Sequence, residues 1–268
     1  MQPVSASLPA SLRHRGRTSE PRVTMSNAIT IAAQRLSLPE LRVVALAVSK
    51  LDSKSPATRQ DSNGRYVPVE LVSRLHARDY AEAFGVSEKD GYEVLKATAT
   101  KLLQRLITFY IPAHKRDGKL IRETFRTVQW TSACEYTKGS GEIKIEWHKD
   151  VVPHLLGLQK HFTVYRLAQL RHLRHKSSVR LLALLERFKK TGVAHYELDD
   201  FCMSMDAAPS LQKNFGMLRT RIIEPAVKEL NDHSDLIVKW EPIKTGRKIT
   251  AMRFTFEPNP QGTLDFGA

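Results

Sequence analysis

The side chains best suited to chemistry in this sequence are polar and basic groups near residue 215. A helix over residues 211–231 is predicted, because apolar residues centred on Leu218 and Ile222 recur at the 3.6-residue period. Its other face holds no acidic residue before Glu224, and Arg, Lys, Asn and Thr side chains can bind base edges in a DNA groove. We predict DNA contacts from Lys213, Asn214, Met217, Arg219, Thr220 and Arg221. An ordinary amphipathic helix with a polar back is the alternative.

A basic turn follows this helix. Residues 236–240 and 249–256 alternate between apolar and polar types, which predicts two strands joined by the turn at residues 244–248. A cationic tip on a hairpin is suited to lie along a phosphate backbone or in a minor groove. The predicted contacts are Lys244, Thr245, Arg247 and Lys248. A plain polar turn is the alternative.

A third basic region has no acidic residue between Asp150 and Glu186. Solubility alone would be served by mixed charges, so an acid-free stretch of this length favours phosphate contact. The residues predicted to make it are Arg171, Arg174 and Lys176. A solvated basic surface is the alternative.

The first half contains a weaker candidate. Residues 77–84 and 88–106 are predicted helices, separated by Gly85 and with Ser87 as the second N-cap, which is a helix-turn-helix pattern. Five Lys or Arg and five Asp or Glu lie between residues 76 and 106. We therefore expect weaker DNA contact here, combined with a protein interface. The predicted DNA contacts are Lys89, Tyr92 and Lys96.

No motif for catalysis is found. The sequence lacks a GxxxxGK[ST] loop, a GxSxG elbow and an HExxH pair. His172 and His175 lie among arginines and a lysine that would repel a metal cation, and no His-apolar-His pair of a DNA-nicking enzyme occurs. Asp199 and Asp200 are placed at a helix start, where they favour the helix dipole. We predict no enzyme activity, no metal and no cofactor.

Composition limits the partners. The chain has 268 residues and a formal net charge of +14, which is typical of proteins that bind polyanions. No apolar stretch approaches the ~20 residues that span a bilayer, so no membrane partner is expected. Cys134 and Cys202 share no motif, which argues against a disulfide scaffold.

The order of predicted elements occurs twice. A helix over residues 27–51, a loop over 52–65 and an edge strand over 66–69 precede the first helix-turn-helix, and strands over 107–111, 126–136 and 143–147 follow it. The second set has a helix over 162–188, broken near 176–178, a short helix over 197–203, and then the helix and hairpin described first. No obvious sequence similarity relates the two sets.

The predicted class is α+β with tandem winged-helix domains, each a helix-turn-helix followed by a β-hairpin wing. We predict a disordered basic tail over residues 1–25, an N-terminal domain over 26–150, a C-terminal domain over 151–257 and a flexible tail over 258–268. The junction is expected within residues 150–159, which include Pro153 and Gly157.

Three stretches resemble a known family, the initiator replication proteins of iteron-containing plasmids of the RepB/RepE type. Residues 26–42 resemble its N-terminal start, and residues 162–165 with 177–185 resemble its S-x-x-S-x-R-L-Y-E-L-L helix, with Leu182 in place of the usual Tyr. Residues 215–231, 246–248 and 254–256 resemble its last helix, wing and strand. The likeness covers about residues 26–257.

The resemblance implies two winged-helix domains related by pseudo-symmetry in a bacterial cytoplasmic protein. It implies that monomers bind direct repeats, called iterons, in double-stranded origin DNA, help to open AT-rich DNA, and recruit the host initiator and the replicative helicase. It also implies that dimers, joined through the first domain, repress their own promoter, and that chaperones shift dimers to monomers. A tandem winged-helix repressor without origin function is the alternative.

Overall fold

The structure, a computed structural model, describes residues 20–111, 113–116 and 119–260. The first half of the chain contains β1 (Arg22–Ser26), α1 (Asn27–Ile31), α2 (Leu38–Ser49), β2 (Thr58–Gln60), β3 (Tyr66–Pro68), β4 (Val72–His76), α3 (Ala77–Phe84), α4 (Glu88–Leu102), β5 (Leu106–Ile111), β6 (His114–Arg116), β7 (Lys119–Ile121), β8 (Thr124–Gln129), β9 (Thr131–Thr137) and β10 (Glu142–Trp147).

The second half follows a 3₁₀ turn at Val152–His154. It contains β11 (Phe162–Arg166), a 3₁₀ turn (Leu167–Leu170), α5 (Lys176–Glu186), β12 (Val193–Glu197), α6 (Leu198–Ser204), α7 (Pro209–Gln212), α8 (Phe215–Leu218), a π-helical segment (Arg219–Ile223), α9 (Glu224–His233), β13 (Leu236–Thr245) and β14 (Lys248–Pro258).

The two halves repeat one topology. Each has a three-stranded antiparallel sheet in which the last strand lies in the middle, in the orders β4–β10–β9 and β12–β14–β13. The helices α2, α3 and α4 pack with the first sheet, α6 and α9 pack with the second, and α5 packs against α9. The predicted α+β class and tandem winged helices are therefore confirmed.

The first helix-turn-helix matches its prediction closely. The helix α3 has the predicted bounds and ends at Gly85, whose φ of +63° a residue without a Cβ adopts freely. Ser87 caps α4, and its side chain accepts a hydrogen bond from the backbone of Asp90. Residues 103–106, predicted to continue α4, lie beyond its end at Leu102.

The predicted helix over residues 27–51 is wrong in its continuity. It is divided into α1 and α2 by an extended segment in which Arg35 has a φ of 51°. A new helix starts after this segment because Ser37 and Glu40 form a capping box, in which Ser37 N donates to Glu40 Oε2 at 2.7 Å. Arg105 also donates to both carboxylate oxygens of Glu40, at 2.9–3.1 Å.

The predicted helix over residues 162–175 is also wrong, because this segment begins as strand β11. It pairs antiparallel with β1, so residues 22–25, which were predicted to be in a disordered tail, form a strand instead. Residues 1–19 and 261–268 lie outside the described residues. The predicted strand over 126–136 is interrupted at Trp130, since β8 pairs with β5 whereas β9 pairs with β10.

The core runs without a gap through both halves. The expected junction at residues 150–159 is itself packed, because Val151, Val152, Leu155 and Leu156 are buried in the common apolar cluster. Within the described ranges of the chain, no helix combines the length and the apolar character needed to cross a membrane.

Candidate nucleic-acid interface

The predicted recognition helix begins at Phe215, four residues later than the sequence suggested. Asn214 is its N-cap, and the Oδ1 atom of Asn214 accepts a hydrogen bond from Met217 N at 3.1 Å. Leu211 and Gln212 belong to α7, a separate turn that begins with Pro209. Lys213 therefore precedes the helix, and Asn214 has a capping role in addition to any contact with DNA.

The helix runs over residues 215–233 and widens at its centre. Glu224 N donates to the carbonyl of Arg219, a π-type bond that spans five residues. Pro225 explains this turn, since proline has no N–H and its ring would clash with the carbonyl of Arg221 in a regular α-helix. Beyond Arg219, the side chains therefore point in other directions than a constant 3.6-residue period predicts.

Apolar contacts fix the start of the helix to the sheet. Leu218 and Ile223 are fully buried, and the ring of Phe215 lies 6.2 Å from that of Trp240 on β13. The polar groups on the solvent-facing side differ in whether they have an ion-pair partner. Arg221 is exposed, with no ion pair to any residue that the structure describes, whereas Arg219 Nε lies 3.3 Å from Glu224 Oε1.

The remaining predicted groups on the helix are less available. The Thr220 hydroxyl donates to Gly216 O at 3.0 Å, and Met217 is half-buried. Of the two arginines on the helix, Arg221 is therefore the one without an ion-pair partner among the described residues, and the exposed Lys213 just before the helix shares this state.

The wing is a long hairpin made of β13 and β14. Only Gly246 and Arg247 lie between the two strands, and Gly246 has a φ of 63°, which permits the tight turn. The tip extends past Trp240 by about five residues, or roughly 16 Å at strand rise. Its cationic and hydroxyl side chains are all exposed: Lys244, Thr245, Arg247 and Lys248.

The predicted phosphate contacts of the acid-free segment lie just before α5 and at its first residue. Lys176 Nζ is 3.1 Å from Asp206 Oδ2, in an ion pair in which the carboxylate is nearly buried. The structure thus gives Lys176 a structural partner, in contrast to the predicted phosphate contact. Arg171 and Arg174 are exposed, and the guanidinium of Arg171 lies beside Gly85 in the first helix-turn-helix.

The first recognition helix, α4, has mixed charge on its surface. Lys89 and Lys96 are exposed, and so is Glu93 between them. The half-buried ring of Tyr92 packs against Gly141 at the first wing, where an added Cβ would lie 2.5 Å from the ring. Tyr92 thus supports the wing.

One basic hairpin was not singled out by sequence reasoning. The strands β2 and β3 pair around a turn with Asn63 and Gly64, and Arg59 and Arg65 on it are exposed. Tyr66 is 73% exposed. The Asn-Gly pair flanked by polar and aromatic residues was the available signal for a hairpin.

An acidic groove of about 950 Å³ lies between the β5–β8 hairpin and α6. Glu123, Glu197, Asp199 and Asp200 line it. Burial, together with the charges of Glu197 and Asp199, raises the pKa of Asp200. This groove would repel a phosphate backbone. Across the described residues, no group of three or more His, Cys, Asp or Glu side chains is arranged to hold a metal ion.

Comparisons with known proteins agree with this architecture. A family described as "Initiator Replication protein, WH1" matches residues 22–186, and one described as "Initiator Rep protein, WH2" matches residues 197–256. An uncharacterized 27.6 kDa protein of Escherichia coli is 26% identical over 231 residues, covering 84% of this chain and 91% of that protein.

Among solved structures, the crystal structure of Pi initiator protein in complex with iteron DNA is similar in fold. The TM-score is 0.67 at 17% sequence identity, and the match covers 91% of this chain and 99% of the other.

Proposed function

The chain belongs to the initiator replication protein family, and from this premise we propose that it initiates plasmid replication by binding direct repeats in double-stranded origin DNA. The observation that carries the proposal is the second winged helix, where an exposed Arg221 near the start of the recognition helix accompanies a wing tip with Lys244, Arg247 and Lys248. This pairing of a groove-reading helix with a cationic wing suits base and phosphate contacts together. The related Pi initiator was crystallised with iteron DNA, which supports the same ligand class.

We assign distinct roles to the two units. The second unit, proposed over residues 151–257, supplies the main DNA recognition, with Arg219 and Arg221 near bases and the wing on the backbone. The first unit, proposed over residues 26–150, adds weaker contacts through Lys89 and Lys96, because acidic residues share its surface. Arg171 and Arg174 extend the phosphate contacts between the units.

The remaining steps follow the family resemblance. We propose that DNA binding helps to open adjacent AT-rich DNA and recruits the host initiator and replicative helicase. We further propose that dimers joined through the first unit repress the chain's own promoter, and that chaperones convert them to monomers in the bacterial cytoplasm. None of these steps requires a cofactor or catalytic residue of this chain.

The testing experiment is a mobility shift and footprint on the DNA that flanks the gene, with salt titration. Regularly spaced protection over direct repeats is the expected result. Protection of a lone inverted repeat would instead support a repressor without origin function. Binding that is sensitive to salt but has no preferred site would contradict the assigned recognition helix.

A further inference from the structure

The two halves of the chain meet across a local two-fold arrangement of the backbone. The strands β1 and β11 pair so that Arg22 lies opposite Arg166 and Ser26 lies opposite Phe162. Because Arg22 and Phe162 begin their strands and Ser26 and Arg166 end them, exchanging the halves leaves this register unchanged. Such self-complementary contacts define an isologous interface between equivalent surfaces.

The hydrogen bonds at the two ends of this strand pair are related by the same two-fold exchange of the halves. Asn27 N donates to His161 O at 2.7 Å, and Leu167 N donates to Pro21 O at 2.9 Å. Each donor is the first residue after its strand, and each acceptor precedes the partner strand by one residue. The two-fold relation between the halves therefore extends beyond the strands into the segments that lead to α2 and α5.

Two arginines occupy equivalent positions in the helices that follow. Arg42 is the fifth residue of α2 and Arg180 is the fifth residue of α5, 138 residues later. Each begins a short repeat of Arg, two aliphatic residues, Ala and Leu, over residues 42–46 and 180–184. This five-residue repeat is a local likeness between halves for which no obvious sequence similarity was predicted.

The two guanidinium groups bind reciprocal segments. The Nη2 atom of Arg42 donates to the carbonyls of Leu170, Arg171 and Leu173, at 3.4, 3.2 and 2.9 Å, and these residues lead into α5. The Nη2 atom of Arg180 donates to the carbonyls of Thr30 and Ala32, at 3.0 and 2.8 Å, in the segment that leads into α2. The arginine on α2 therefore binds the segment that leads into α5, and the arginine on α5 binds the segment that leads into α2.

Arg180 has an additional contact on the second unit. Its Nε atom donates to the carbonyl of Ser204 at 2.9 Å, near the end of α6. The Ser204 hydroxyl in turn donates to Ile31 O at 2.9 Å, and Asp206 Oδ2 accepts from Arg35 N at 3.0 Å. The guanidinium thus joins the carbonyl ends of α1 and α6, where the helix dipoles favour a cation.

The chemistry of these contacts requires arginine. Arg180 is 1% exposed, and burial lowers the pKa of its guanidinium while the charge of Asp206 opposes that change. Its planar donors reach carbonyls on two sides at once, which the single ammonium of lysine would not do. An arginine that only anchored α5 within one unit would not need N–H donors directed to carbonyls of both units.

We propose that Arg42 and Arg180 are positioning residues that fix the separation of the two DNA-contacting helices, and thereby the spacing of contact sites that the chain accepts on DNA. This inference rests on the proposed function, in which both units touch one DNA molecule. Neither guanidinium is itself a proposed DNA contact, whereas Arg42 also binds the backbone of Arg171, which is one. Loss of this two-arginine clamp is expected to change the tolerance to spacing more than it changes base contacts of the recognition helix over residues 215–233.

The test uses Arg42→Met, because Arg42 is half-buried and this variant keeps the fully buried Arg180. Arg187→Met is the matched control. Arg187 donates to Tyr196 Oη at 3.1 Å and stacks on Phe188, and both of these contacts lie within the second unit. Binding is measured on the footprinted site and on the same site with about two base pairs inserted between the two blocks of protection, a shift of ~7 Å along the helix.

The insertion is expected to weaken binding of the native protein and of Arg187→Met by about tenfold or more, since one unit must leave its site. For Arg42→Met, the penalty should fall to about threefold or less, and binding to the uninterrupted site should weaken. A folded Arg42→Met protein with the full native penalty overturns the proposal.

A second measurement does not depend on DNA. Spin labels at Lys101 on α4 and Lys228 on α9, in a Cys134→Ser, Cys202→Ala background, report the distance between the units by pulsed electron resonance. A broadened or shifted distribution in Arg42→Met, but not in Arg187→Met, is expected. An unchanged distribution contradicts the clamp. Broadening without any specific DNA binding by the native protein would preserve the clamp and reject the proposed function.

Discussion

The side chain of Asn231 on the recognition helix binds both backbone polar groups of Val238 on the wing. Asn231 Nδ2 donates to Val238 O at 3.0 Å, and Asn231 Oδ1 accepts from Val238 N at 2.6 Å. Together with the contact between Phe215 and Trp240, this pair fixes the helix to β13 near each of its ends. These contacts hold the helix and the wing together at two points along the helix.

Replacement of Asn231 by alanine should lower the free energy of unfolding by about 1–3 kcal/mol, because two backbone groups of the buried Val238 lose their partner. Urea denaturation at neutral pH measures this loss. Asp232→Ala is the control, since Asp232 is exposed and its ion pair, among the residues that the structure describes, is with Lys228 one turn away. An equal loss in both variants would show that the bridge to the wing has no special role.

Local patterns predicted the elements whose signals lie within a few residues. The bounds of α3, the Gly85 turn and the cap at Ser87 were all readable, because helix starts and stops depend on nearby side chains. The wing at residues 244–248 was also found, since strand alternation and a glycine turn are local. The predicted family is confirmed over most of the chain by the two matched domains.

The errors concern contacts between distant residues. The segment over residues 162–166 forms a strand because it pairs with residues 22–26, about 140 positions away, which no local period reveals. The short strands β4 and β12 were missed for the same reason, since each pairs with a strand more than 50 positions later in the chain. The roles of Arg42 and Arg180 became visible only when the two halves were placed together.

Within the candidate site, two prolines account for the differences between the predicted and the observed recognition helix. A constant helical period was assumed through residues 211–231, whereas Pro225 imposes a π turn and Pro209 starts a separate α7. Both prolines were visible in the sequence. The sequence did not show which residue begins the helix, because an N-cap at Asn214 and an earlier start at residue 211 both fit the pattern.

Arg221 and Lys248 should respond differently to truncation. Arg221→Ala is expected to cost about 1–3 kcal/mol on the specific site and to relax base preference at one position. Lys248→Ala should weaken specific and random DNA alike and reduce the slope of log K against log salt by about one. Fluorescence anisotropy on both DNA molecules, over a range of salt, measures the two effects. Equal losses on specific and random DNA for Arg221→Ala would remove it from the base readers.

Glu224→Gln should strengthen DNA binding. The carboxylate holds Arg219 at 3.3 Å and places a negative charge on the exposed side of the recognition helix. Its neutralisation frees the arginine and removes repulsion of phosphates, so affinity should rise by about two- to fivefold at low salt and less at high salt. Asp232→Asn, farther along the same helix, is the matched control. Unchanged affinity in Glu224→Gln would place Arg219 away from DNA.

His154 should make folding stability depend on pH near neutrality. Its ring stacks on Phe109 with centroids 4.5 Å apart, and its Nδ1 atom lies 2.8 Å from the Ser26 hydroxyl. Burial lowers the pKa of His154, the charge of Arg126 lowers it further, and Asp150 opposes this shift. The unfolded chain therefore binds a proton at a higher pH than the folded chain does.

Stability from the neutral ring is consequently present above about pH 6.5 and is lost as the pH falls through the lower pKa of the folded state. Urea midpoints at about pH 7.5 and about pH 5.5 should differ more for the native protein than for His154→Gln, which cannot titrate. His195→Gln is the control, because His195 is exposed and pairs with Glu197 on the surface. If His154→Gln keeps the native pH dependence, another group is responsible for it.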